Sequence, residues 1–339
     1  MDVLELLGEL GGVPSASGFE AAAMRRAKEL LLQYVDEAEL DPLGNLIGVR
    51  RCGVADAPCV LLDAHLDQIG LVVTGEVDGF LRISPIGGVD VRMLPACEVL
   101  VLTDPPCPGI VTCMPPHLQT KEECEKAIEQ KDLYLDVGGV PVPVGTPVVL
   151  QNEYVRLHND VISGIALDDR AGFVALLRTM ERLRNKKLGV DVVVLGSVQE
   201  EVGCRGAKVA GYRVNPDWAI AVDVTHGSTP DAPKGRTFDL GSGTAIGVGP
   251  NLHPEVSGRL TRLAEEKKIA HTIEVCEGET GTNAWVFQTV RQGIRTGLLS
   301  IPLRYMHTPV EVLCEKDIQA TAKLLAEFVL SLGEETRRV

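Results

Sequence analysis

Four apolar runs in this chain each lead into an acid or a histidine, and no other feature narrows the fold as much. Cys59–Leu62 leads to Asp63 and His65, and Val190–Val198 to Glu200 and Glu201. Trp218–Val222 leads to Asp223, and Thr296–Ile301, through Pro302–Met306, to His307. Apolar residues on consecutive positions mark a strand covered on both faces, the pattern of a sheet buried between helices. Segments with helical periodicity lie between the runs, which predicts an α/β fold: a mostly parallel mixed sheet flanked by helices. In such a sheet, chemistry collects at the carboxyl ends of the strands.

Ile162–Gly172, with Asp168-Asp169 at its middle, carries the carboxylates expected at the centre of that gathering. Paired acids at a helix start have an ordinary explanation, since free N–H groups and the helix dipole attract negative charge. The strand-end acids and histidines elsewhere in the chain favour a role beyond capping.

From Gln68 to Val155 the texture changes. Short strands alternate with turn residues, including a hairpin at Asp78-Gly79, and only Thr120–Lys131 reads as helical. This spacing predicts a small β-barrel or sandwich. Its position splits the rest of the chain: residues 1–67 and 158–339 form one discontinuous catalytic domain, and 68–157 are inserted. Elsewhere, Ser17-Gly18-Phe19-Glu20 reads as a capping box opening a helix with Met24, Ala27, Leu31 and Tyr34 on one face. Helices are also expected at Arg170–Arg184, Gly203–Tyr212, near Glu255–Lys268 and Asn283–Gln292, and at Glu315–Leu332.

Several partners and compartments are disfavoured. A formal charge of −14 argues against nucleic acid, because phosphate binding needs clustered Lys and Arg. No apolar run approaches the ~18 residues of a membrane helix, and MDVLELLGELGG lacks the basic start of a signal peptide. The nine cysteines are scattered without a C-x-x-C pair, so a reducing cytoplasm is the expected compartment.

His65 and Asp67 lie two apart at a strand end, so both side chains can face one way, and a ligating histidine usually gives its other N–H to an oxygen. Glu200 and Glu201 directly follow a buried run, where adjacent anions are costly without cations. Two histidines and four carboxylates suit two divalent ions sharing one carboxylate, with Zn²⁺, Co²⁺ or Mn²⁺ favoured by mixed nitrogen and oxygen donors. One carboxylate remains for general-base work, so the reaction class is metal-assisted hydrolysis.

The ordered motifs Ser17–Glu20, Asp41–Asn45, Asp63–Asp67, Pro115–His117, Leu133–Gly138, Ala166–Arg170, Gln199–Gly203 and Arg304–Glu311 resemble the tetrahedral aminopeptidases, metallopeptidase family forty-two. The resemblance runs through nearly the whole chain. It implies a zinc-peptidase-like domain carrying a β-rich dimerisation insert, and hydrolysis of peptides with a free N-terminus. It implies that Asp168 bridges two ions, that His65 and Asp223 bind one, and that Glu201 and His307 bind the other. Glu200 would be the general base and Asp67 would orient His65. It further implies a cis peptide bond at Asp168-Asp169, and dimers that join into a tetrahedral dodecamer. One departure bears on substrate choice rather than on the ligands: Asn283 stands where relatives commonly carry Asp.

Alternatives are a related binuclear deacylase or carboxypeptidase, and a non-catalytic assembly protein with a vestigial site. EDTA-sensitive release of amino acids separates them. A glycosidase fits poorly, because its two carboxyls must flank the bond ~5–9.5 Å apart. Gly241–Gly249 superficially resembles a dinucleotide loop, but Pro250 follows at once and no helix opens there. His117, His158, His253 and His271 are expected outside the site, whereas His226 can line it. Cys204 is expected to be a small packed residue rather than a reactive thiol.

Overall fold

The computed structural model describes residues 1–336, with side chains to residue 333. It has a large mixed sheet flanked by helices and a separate closed antiparallel barrel, as the sequence predicts. Across the sheet the strands run Glu37–Leu40, Leu46–Arg50, Asp191–Ser197, Cys59–His65, Trp218–His226, Arg295–Arg304, Glu311–Cys314, Val161–Gly164 and Val155–Arg156. Thr244–Val248 and His271–Val275 branch from Arg295–Arg304. The four central strands, from Asp191–Ser197 to Arg295–Arg304, are mutually parallel, and pairing toward both edges is antiparallel.

Alternation along the central strands explains the helices on both faces. Val60, Leu62 and Ala64 enter one core, together with residues of the helices Val3–Gly11, Ala21–Leu31, Leu167–Leu183 and Glu315–Thr336. Leu61 faces the other, with Ala207, Ala210 and Phe287. The helix Leu167–Leu183 is buried almost all round, because it lies between the sheet and Glu315–Thr336. Burial of a residue such as Phe173 contributes about 1.5–3 kcal/mol.

The chain leaves the sheet after His65 and rejoins it at Val155–Arg156. Between these points Gly70–Val77, Phe80–Ile86, Leu133–Asp136, Cys107–Cys113, Glu98–Val101 and Pro147–Leu150 close into a barrel, in that spatial order. Leu71, Val73, Leu81, Val99, Val111, Leu135 and Val148 fill it. Its first hairpin turns at Asp78-Gly79, with φ of 51° and 84°, the left-handed pair that a two-residue turn requires.

Local readings failed in identifiable ways. Ser17–Glu20 is not a capping box. The helix begins at Ala21, Ser17 gives its hydroxyl to Asp67, and Glu20 accepts from the N–H groups of Gly18 and Gln199. Tertiary partners took both side chains. Thr120–Lys131 forms only the short helix Lys121–Cys124 and a 3₁₀ turn at Gln130–Asp132, because this charged, exposed segment has no apolar face to bury. Asn283–Gln292 shrinks to the single turn Ala284–Phe287. An unforeseen helix, Val3–Gly11, opens with reciprocal Asp2 and Glu5 caps. Among the described residues, no helix is long and apolar enough to cross a membrane.

Candidate metal centre

Strand register brings the predicted residues to one end of the sheet. His65 lies opposite Ser197, so Glu200 and Glu201 emerge just beyond the strand that flanks it. Asp63 lies opposite Ala221, which puts Asp223 two residues further along the neighbouring parallel strand. His307 follows Arg295–Arg304, which extends past the expected Thr296–Ile301.

Asp168 sits between these elements. Its φ of −76° and ψ of 107° are not helical, and the bond to Asp169 is cis, as the resemblance implied. The two acids divide their work. Asp169 Oδ1 accepts the N–H of Gly172 at 3.0 Å, which is the ordinary capping role. A Cβ on Gly172 would meet the Asp169 carboxylate at 2.4 Å, so only glycine fits there. Asp168 turns outward instead. Its Oδ1 lies 3.0 Å from His65 Nε2, and its Oδ2 lies 3.3 Å from His307 Nε2.

Both histidines are oriented from behind. His65 Nδ1 lies 3.1 Å from the Asp67 carbonyl and 3.5 Å from its Oδ1. His307 Nδ1 lies 3.0 Å from the Gly88 carbonyl. In each case Nδ1–H donates to the carbonyl, which turns Nε2 toward the carboxylates. The Asp67 carboxylate also accepts the N–H groups of Glu200 at 3.0 Å and Glu201 at 3.1 Å, and the Ser17 hydroxyl at 2.7 Å. It therefore organises the whole strand end.

Two donor groups result. One ligand atom each from His65, Asp168 and Asp223 lie within 4.8 Å of one another, and so do atoms of Asp168, Glu201 and His307. Glu201 Oε1 stands 3.2 Å from His307 Nε2. Burial drives Asp223 well above the carboxylate range, raises Glu201, and pushes Glu200 up to about 7. Burial would lower the imidazoles, but the hydrogen bonds they donate to Asp168 and neighbouring carboxylates outweigh it. They hold His65 well above its ordinary value and His307 at about 11. Carboxylates driven to keep protons, beside imidazoles driven to stay charged, describe a cluster that lacks positive charge. Divalent ions supply that charge, and this donor set fits them.

The groups open on a cavity of about 290 Å³, lined also by Glu200, His226, Arg236, Glu274, Thr282 and Met306. Larger depressions of about 590 and 540 Å³ lie elsewhere and contain none of the predicted ligands. Glu200 accepts the Cys204 thiol at 3.2 Å, and burial pushes that thiol up, away from thiolate reactivity. Asn283 does not line the cavity. It is buried beneath the site, donating to Asp63 Oδ2 and to the Ser197 hydroxyl, each at 2.8 Å. His117 is in an exposed barrel turn, and the glycine N–H groups at 241 and 243 are taken by the Asp317 carboxylate, both at 2.7 Å.

Three residues of this constellation escaped the sequence reading. Glu311, buried, accepts the N–H of Asp168 at 3.2 Å and of His307 at 2.9 Å, tying the two together. Arg170, buried, donates to Ser15, Val13, Gln68 and Tyr154. Gly88 contributes only a carbonyl. Glu311 and Arg170 had a sequence signal, since both stand in the ordered motifs, but no role was read for either.

Comparison with known proteins points to one family. Residues 44–324 match the M42 glutamyl aminopeptidase family. A lysyl aminopeptidase of Pyrococcus furiosus is 34% identical over 334 residues, covering 94% of each chain. The structure of an aminopeptidase from the archaeon Desulfurococcus kamchatkensis superposes with a TM-score of 0.89 at 34% identity, covering 97% of this chain and 94% of that one. The TET1 peptidase of Pyrococcus horikoshii, described as able to assemble into a tetrahedron or a large octahedral shell, gives 0.85 at 29% identity, covering 96% and 99%. With the family match over most of its length, the identity of its relatives and the fold in agreement, the chain belongs to the M42 aminopeptidases, a family of peptide hydrolases.

Proposed function

We propose that this chain removes N-terminal residues from peptides with two divalent ions, Zn²⁺, Co²⁺ or Mn²⁺, held by His65, Asp168, Glu201, Asp223 and His307. The observation that carries this reading is Asp168, whose two oxygens each face a different histidine. When bound, such an ion pair lowers the pKa of a shared water and polarises the carbonyl under attack. Asp168 is the shared ligand, His65 and Asp223 complete one side, and Glu201 and His307 the other. Glu200, in the cavity wall and outside both donor groups, accepts the proton of the attacking water and returns it to the leaving amine. Asp67 fixes the backbone of both glutamates and, through its carbonyl, the ring of His65. The site tests as follows. EDTA should abolish release of amino acids, carboxyl-blocked peptides should be substrates, and N-acetylated peptides should be inert. Equal cleavage of acetylated and free peptides would favour the deacylase alternative.

The rest of the reading concerns organisation. Residues 1–67 and 158–339 act as the catalytic domain, and 68–157 as a dimerisation module, with dimers joining into a tetrahedral dodecamer in the cytoplasm. The barrel supports this by its exposed apolar side chains, among them Ile110, Met114, Leu118 and Val144, and the relationship to a tetrahedral peptidase supports it further. Twelve chains of 36.4 kDa would scatter light as a particle of about 437 kDa, and a stable monomer would exclude this assembly.

A further inference from the structure

We infer that the Gly87-Gly88 turn of the inserted barrel is a positioning element of the metal centre, holding His307 and Glu201 for the second ion. The inference rests on the two-ion reading above and adds to it a part of the chain that contributes no ligand. The turn leaves the barrel strand Phe80–Ile86 directly, and Val89 N–H closes it by donating to the Gly87 carbonyl at 3.0 Å.

Three observations place the turn against the ligands. First, the Gly88 carbonyl is the oxygen within hydrogen-bond reach of His307 Nδ1, at 3.0 Å. It therefore selects the tautomer and rotation that turn Nε2 toward Asp168 and Glu201. Second, a Cβ on Gly88 would stand 2.9 Å from His307 Nδ1 and 3.0 Å from Cε1, so the carbonyl reaches the ring only because this residue has no side chain. Third, Gly87 has φ of +78°, and a Cβ there would meet Ile69 Cγ2 at 3.0 Å and Glu201 Cβ at 3.3 Å. The turn thus seats against both residues that, with Asp168, make the second donor group.

Its position is not left to the barrel alone. Arg170 is two residues past Asp168, and its guanidinium donates to Gln68 where the chain leaves for the barrel and to Tyr154 where it returns. Both crossings are pinned to the segment that carries the shared carboxylate. The first donor group has no such dependence, since the carbonyl behind His65 belongs to Asp67 in the same loop.

The test is competition of full-length protein with a chromophoric chelator for Zn²⁺, with circular dichroism as the folding check. Wild type should take up two ions. Gly88→Ala should keep the tighter within about threefold and bind the other about 10–100-fold more weakly, the usual cost of losing a group that orients a ligand. Gly75→Ala, in the same barrel where an added Cβ meets nothing, should match wild type. Unchanged affinity for both ions in Gly88→Ala, or an equal fall in both, overturns the inference while leaving the two-ion reading intact. Uptake of fewer than two ions by wild type overturns both. Should Gly88→Ala not fold, Ile69→Ala decides, because it removes the side chain behind Gly87 without a clash. It must show the same asymmetry at a smaller, several-fold size, and symmetric or absent loss overturns the inference.

Discussion

His65 and His307 both turn Nδ1 to a main-chain carbonyl and Nε2 to Asp168, yet they live in different surroundings. The His65 side chain is 2% exposed at the end of a central strand, braced by a carbonyl two residues away. That of His307 is 28% exposed in a loop with φ of +62°, braced by the inserted barrel 219 residues earlier in the chain and by Glu311. One donor group, two strand residues and Asp168, is built without the barrel. The other exists only where sheet, loop and barrel meet. The difference teaches that two neighbouring donor groups need not be equally rigid, because a side chain's precision comes from what stands behind it.

The sharpest way to break this comparison is to remove what the two sides share. Asp168→Asn should cost both ions and all measurable turnover, whereas Asp223→Ala and Glu201→Ala should each lose one ion first; elemental analysis of the purified variants distinguishes these outcomes. Next in size is Glu200→Gln, which should keep both ions and lose about 10²–10⁴-fold in kcat, since Glu200 lies outside both groups. Full turnover of that variant, loaded with metal, would move the proton-transfer role elsewhere. The smallest effect is expected at Glu311, which spans the two sides by accepting from Asp168 and His307. Glu311→Gln puts an amide donor opposite one of those N–H groups and should cost about 1–3 kcal/mol in denaturant unfolding. If the comparison is sound, the ion on the His307 side should also be lost at lower chelator concentration than in wild type.

That these acids and histidines would gather at one place was legible because buried strands leave apolar runs, and an ionised group ending such a run is expensive unless something compensates it. The order of the motifs then carried the family. Glu311 and Gly88 were harder to see for different reasons. Glu311 looks like one more strand-end acid until its carboxylate is found gripping two backbone amides. Gly88 acts through an atom that every residue possesses, so its side-chain identity records only that space was needed. The same limit produced the errors in the fold. Ser17 and Glu20 have the spacing of a helix cap, but Asp67 and Gln199, far along the chain, compete for them and win. At Thr120–Lys131 helical propensity was real but had no apolar stripe to dock, so only one turn survived.

His65 lies in the first fifth of the chain, while His307 and Glu311 lie in its last tenth. During synthesis the N-terminal part emerges first, so His65, Asp168 and Asp223 are all made before Arg295–Arg304, whereas the group of Asp168, Glu201 and His307 awaits the last tenth of the chain. The two donor groups are thus completed at different points of chain elongation, and the last strands to join the sheet decide when the site is whole.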